Sequence, residues 1–162
     1  MYILQSDLFE GMKRDFIKKV MEKMAKETYE PEDTLFAEGD PAKHFYVLLK
    51  GRIKLSHGGG ENLVHIVSKP GEAFGWSSLV GRDTYSATAE CLSATKVIKI
   101  KREDLEKIIE DDPRSGVVFY KRVAALIGQR LINSYESLRM DQRGESAVSF
   151  GTGQILESAV ST

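Results

Sequence analysis

The chain has 162 residues, 29% of them charged and 41% apolar, with a formal net charge of −1. That length suits one domain with a real core, and the balance lacks both the basic excess of a nucleic-acid binder and the polarity of a disordered chain. Cys91 is the only cysteine, so one chain can form neither an internal disulfide nor a cysteine metal cluster, which fits a reducing, cytoplasmic setting.

The N-terminus, "MYILQSDLFEGMKRDF", has no apolar core followed by a small-residue cleavage site, and no segment reaches the roughly 20 apolar residues of a membrane span. No membrane association is expected. Leu8, Met12, Phe16, Val20 and Met24 recur every four positions, which predicts an amphipathic helix from Leu8 to Lys26 within an N-terminal segment, residues 1–28. Its lysines form a solvated face.

After Tyr29 the texture changes to short apolar runs: "DTLFAEGDPA", "HFYVLLKG", "RIKLS", "NLVHIVSK", "YSATAEC" and "TKVIKI". Gly39-Asp40-Pro41, Lys50-Gly51, Gly58-Gly59-Gly60 and Pro70-Gly71 supply turns between them, so residues 29–100 read as a compact antiparallel roll or sandwich. Within it, "HGGGE" at residues 57–61 lacks the lysine and Ser/Thr of a phosphate-binding P-loop and reads as a hairpin tip. His44, His57 and His65 fall at irregular spacing without HExxH or CxxC, so no metal site and no catalytic residues are expected. The chain is not read as an enzyme.

"KREDLEKIIEDD" then predicts a helix with Leu105, Ile108 and Ile109 on one side, ended by Pro113. From Gly116 to about Met140 a longer helix carries Val117, Tyr120, Ala124, Ile127, Leu131, Ser134 and Leu138 at alternating three- and four-residue steps, a coiled-coil seam. Phe119, Val123, Leu126 and Ile132 lie off it. Two stripes imply two neighbours, the roll and a second copy of the chain, so a homodimer through residues 117–138 is expected. These helices make up residues 101–140; the Ser/Gly-rich tail, 141–162, reads as flexible or loosely docked.

The roll carries a resemblance. "YEPEDTLFAEGDPAKHFYVLLKGRIKLS", residues 29–56, is similar to the opening of the cyclic nucleotide-binding domain of Crp/Fnr-type regulators, with a turn at Glu38 to Ala42, aromatics at Phe45 and Tyr46, and Gly51. The flanking helices match in order, so the resemblance covers about residues 8–140. It implies an α+β fold: an antiparallel β-roll of the double-stranded β-helix or jelly-roll type, with an N-terminal helix and a long C-terminal helix.

It also implies a phosphate-binding cassette in "PGEAFGWSSLVGRDTYSATAEC", residues 70–91. A short helix starting near Gly75 would present backbone N–H groups to an anion, and Ser86 would add a hydroxyl. The expected ligand-binding residues are Phe74, Gly75, Trp76, Ser77, Ser78, Arg82, Tyr85, Ser86 and Ala87, with Ser134 and Tyr135 brought by the long helix. Members of the family that bind cyclic nucleotides place a glutamate just after the cassette glycine and an arginine before the Ser/Thr/Ala. Here Trp76 and Tyr85 stand at those two places. An indole accepts nothing from a ribose hydroxyl, and a neutral phenol does not pair with a phosphate through two hydrogen bonds.

The sequence therefore points to a regulatory sensor for a small ligand, cyclic nucleotide or other anionic or aromatic metabolite, lined by Trp76 and Tyr85 and signalling through the long helix to a regulatory protein partner. Two alternatives stand beside it: a ligand-free scaffold with a degenerate pocket, or a cAMP or cGMP binder in which Arg82, roughly 10 Å along the backbone from Tyr85, replaces the arginine. The 22 residues after Met140 show no helix-turn-helix, so direct DNA binding is not expected.

Overall fold

The computed structural model describes residues 7–149, with side chains from Leu8 to Gln142. It divides into a unit ending at Ala125 and a second beginning at Leu126. Eight antiparallel strands form two four-stranded sheets, ordered β1-β8-β3-β6 and β2-β7-β4-β5. They are β1 (Ala25–Tyr29), β2 (Thr34–Phe36), β3 (His44–Lys50), β4 (Ile53–His57), β5 (Asn62–Val67), β6 (Ala73–Phe74), β7 (Thr88–Cys91) and β8 (Thr95–Lys101). The described residues also form three α-helices: α1 (Arg14–Lys23), α2 (Arg102–Asp111) and α3 (Pro113–Ser149). This is the β-roll that the resemblance implies.

β3 shows how composition sets position. Its run "FYVL" is buried at four consecutive residues, the pattern of a strand covered on both faces. Tyr46 and Leu48 point into the roll, where they join Phe36, Ile53, Phe74 and Tyr85 in one apolar cluster. Phe45 faces the other way, edge-on to Phe119 of α3 with ring centroids 6.0 Å apart. Phe9 and Phe16 complete that outer aromatic group, and α1 and α2 pack against β8.

Two elements depart from the sequence expectation. The helix predicted from Leu8 to Lys26 is shorter: a 3-10 turn at Asp7–Phe9 is separated from α1 by Gly11, at φ 83°, and Ala25 already belongs to β1. Pairing of Ala25–Tyr29 with β8, in register Ala25↔Lys99 to Tyr29↔Thr95, overrides the local four-residue period. At the other end α3 continues past Met140 to Ser149, since a lone Gly144 costs a long helix only about 1 kcal/mol. The rest of the tail, 150–162, lies outside the described residues.

On α3 Phe119 and Val123, off the seam, are buried, but Ile132, also off it, is 50% exposed, and the seam residues Val117, Leu131 and Leu138 are 56%, 49% and 59% exposed.

Candidate functional site

The residues of interest follow β6. Gly75 adopts a left-handed conformation (φ 75°, ψ 28°), and a Cβ there would sit 3.0 Å from Tyr46 Cδ2 and 3.2 Å from the His44 carbonyl. Only glycine meets both demands. It starts a single 3-10 turn, Trp76–Leu79, closed by Ser78, whose hydroxyl donates to the Gly75 carbonyl at 2.8 Å. Trp76 is partly buried, while Ser77 and Ser78 are buried. The Ser77 hydroxyl lies 3.4 Å from the Ser86 hydroxyl and accepts from the Ser86 amide at 3.4 Å. The turn and the segment leading into β7 thus meet through these two serines.

Between them the chain is strapped to the β2–β3 turn. Ala42 N donates to Asp83 O at 2.8 Å, Tyr85 N to Asp40 O at 2.9 Å and Gly39 N to Tyr85 O at 3.0 Å, with a bridge between Pro41 and Thr84. The Tyr85 ring stacks on Phe36, centroids 3.8 Å apart and planes 17° apart. Its hydroxyl donates to the His44 carbonyl at 2.7 Å and accepts from the His44 amide at 3.0 Å. Burial raises the phenol above its ordinary pKa, so it stays neutral. Tyr85 is a rivet: backbone, ring and hydroxyl are all engaged.

The approach to the cassette is held by Glu72. Its carboxylate contacts His65 Nε2 at 2.6 Å and accepts from the Ser68 and Lys69 amides at 3.1 and 3.2 Å. Burial opposes ionisation, but these hydrogen bonds outweigh it and hold the carboxyl down to about 2. On the opposite side Glu38 contacts His57 Nδ1 at 2.7 Å. Sequence reading singled out neither pair, because each joins residues that no motif connects.

The structure brings Gly75, Trp76, Ser77, Ser78, Tyr85, Ser86 and Ala87 into one loop-and-turn assembly, but with different fates. Phe74 lies in the core, stacked on Tyr46 at 5.1 Å. Ser86 and Ala87 are partly buried. Arg82 is exposed, and its carbonyl accepts from Arg102 Nη1 at 3.2 Å. Ser134 and Tyr135 belong to the second unit, where Ser134 Oγ donates to the Arg130 carbonyl at 3.0 Å and Tyr135 is 60% exposed. Among the described residues, no group of three His, Cys, Asp or Glu is placed to hold a metal ion, and no helix is long and apolar enough to cross a membrane.

The site sits in a two-sheet antiparallel roll, with a glycine-initiated 3-10 turn and Ser86 two residues before β7. The family model of the cyclic nucleotide-binding domain matches residues 26–112, more than half of the chain, and the chain belongs to that family. It is 27% identical over 128 residues to the cyclic AMP receptor protein of Thermus thermophilus, covering 78% of this chain and 57% of that protein. The global nitrogen regulator of a Nostoc species is 28% identical, with 76% and 57% covered. The chain therefore spans little more than half the length of these curated relatives. Among solved structures, the N-terminal domain of a transcriptional regulator from Streptomyces coelicolor superposes with a TM-score of 0.65 at 26% identity, covering 80% of this chain and 94% of that one. A cyclic nucleotide-binding domain from Methylobacillus flagellatus gives 0.72 at 18% identity, with 86% and 80% covered, a likeness of fold.

Proposed function

We propose that this chain is a non-catalytic sensor module that binds a small anionic or aromatic metabolite at the cassette, without the glutamate and arginine contacts by which its family holds cAMP or cGMP. Binding beside Trp76, Ser77 and Ser86 shifts α3, and α3 passes the change to a regulatory protein partner. Such a shift requires the ligand to favour one position of α3 over another. The exposed seam residues Val117, Leu131 and Leu138 support pairing of α3 with a second copy, a homodimer through residues 117–138.

The observation that carries this reading is the commitment of Tyr85. It stands where the family's arginine would meet the cyclic phosphate, yet its ring is in the core and its hydroxyl serves the His44 backbone. Turning it toward a ligand would leave two backbone groups unpaired. Hydrogen bonds to charged groups contribute about 1.5 to 3 kcal/mol each, so without the arginine pair and the carboxylate contact cyclic-nucleotide affinity falls by several powers of ten.

A ligand-free scaffold is the second reading, favoured by the tight filling of the roll by Phe36, Tyr46, Phe74 and Tyr85. Thermal denaturation with added ligands separates the readings, because a ligand specific for the native state raises its stability by mass action. Micromolar cAMP and cGMP are expected to leave the midpoint unchanged, while a panel of aromatic acids and anionic metabolites yields a stabilising compound. A cAMP response abolished by removing Arg82 would overturn the proposal. No response to any compound would favour the scaffold. Native mass spectrometry of freshly purified protein reads the subunit count and any retained ligand together.

A further inference from the structure

Three segments meet around the pair Glu38 and His57 beside the cassette. Glu38, in the turn between β2 and β3, accepts from the Gly58 amide at 2.9 Å on one oxygen and contacts His57 Nδ1 at 2.7 Å with the other. Its own amide donates to Thr88 Oγ1 at 2.9 Å. The same His57 nitrogen lies 3.3 Å from the Ser86 carbonyl. Both partners of Nδ1 are acceptors, so that nitrogen carries the hydrogen. One imidazole thus ties the tip of the β4–β5 hairpin to the serine at the end of the cassette.

A second feature lies under the same tip. Ser56 is 1% exposed, its hydroxyl has no hydrogen-bond partner among the described residues, and a Cβ on Gly60 would come within 3.9 Å of it. A sealed hydroxyl without a partner disfavours the closed arrangement and is relieved when water reaches it.

The geometry points to a latch: Glu38 and His57 hold the hairpin tip, residues 57–61, against Ser86, so that hairpin and cassette loosen and tighten together. As a regulatory device it rests on the cassette being the ligand site, since a ligand drawing on Ser86 then changes the exposure of the hairpin. The side chains of His57 and Glu38 are 60% and 31% exposed, so each contact is weak alone and the latch opens readily. Ser56 opposes it from beneath.

Amide hydrogen exchange, followed by NMR on the full chain without ligand, tests the coupling. Glu38→Ala is expected to speed exchange at Gly58 and Ser86 together, by roughly three- to tenfold, while Val47 and Leu48 in β3 stay protected and report an intact roll. Glu38→Gln keeps an acceptor for the Gly58 amide and should give a smaller change at both positions. Ser56→Ala removes the sealed hydroxyl and should slow both. Faster exchange at Gly58 with Ser86 unchanged would overturn the latch, as would acceleration by Ser56→Ala. No ligand is added, so failure here leaves the ligand reading standing, and a failed ligand panel leaves the latch standing.

Discussion

Two places in the cassette keep their hydroxyl groups in opposite conditions. At the first, the Tyr85 hydroxyl is bound at 2.7 and 3.0 Å to the carbonyl and amide of the partly buried His44. At the second, where the 3-10 turn meets Ser86, the Ser77 hydroxyl meets the Ser86 hydroxyl and amide only at 3.4 Å, the long edge of hydrogen bonding. A group held at optimal distance cannot serve a ligand without leaving its partners unpaired, whereas one held loosely loses little by turning. Residue type does not separate the two cases; only the partners do. Replacing Tyr85 should therefore damage the fold, and replacing Ser86 should damage binding.

The largest expected effect is at Tyr85. Tyr85→Ala removes a buried ring stacked on Phe36 and strands the His44 amide and carbonyl, at a cost of about 3 to 5 kcal/mol. Tyr85→Phe keeps the ring and gives up the hydroxyl, for about 1 to 2 kcal/mol. Urea unfolding measures both. If Tyr85→Phe left stability unchanged but weakened ligand binding, the tyrosine would be a ligand contact and the comparison would invert.

How much of this was legible follows the range of the contacts. β3 announced itself as a strand through its short apolar run, and α2 through Leu105, Ile108 and the stop at Pro113. Those signals are local. Ala25 and Lys26 of β1 were read as the end of a helix because "AKETY" owes its extended form to β8, some 70 positions on. The cassette was legible as a glycine-initiated turn leading to Ser86, a pattern within one short stretch. The role of Tyr85 was not, because its partners Phe36 and His44 stand far up the chain. The same holds for Glu38 with His57.

Acid is expected to have an intermediate effect and to act on one side of the cassette. Glu72 braces the approach to Gly75, and its carboxyl is held from an ordinary value of 4.5 down to about 2 in the folded chain. A depressed carboxyl contributes stability that is fully present above pH 4.5 and drains away as pH falls toward 2. The Tyr85 phenol does not titrate there, since burial pushes it upward. Glu72→Gln should cost about 1 to 2 kcal/mol at neutral pH, the carboxylate being partly solvated, and the gap to the parent should close between pH 4.5 and 2. A gap that stays constant across that window in urea titrations would show that the carboxylate charge is not what braces the approach.

The smallest effect on stability, and the most telling, is expected at Ser86. Its hydroxyl touches only Ser77, at 3.4 Å, so Ser86→Ala should change the unfolding free energy by less than about 0.5 kcal/mol. The same change removes a polar group that a ligand would find beside the 3-10 turn, and affinity for any compound found by the ligand panel should fall about tenfold, the equivalent of one hydrogen bond. Calorimetric titration reads the affinity and urea unfolding reads the stability on the same preparation. Should Ser86→Ala lower stability as much as Tyr85→Phe, both places in the cassette would be structural, and the roll would be a scaffold closed to ligands.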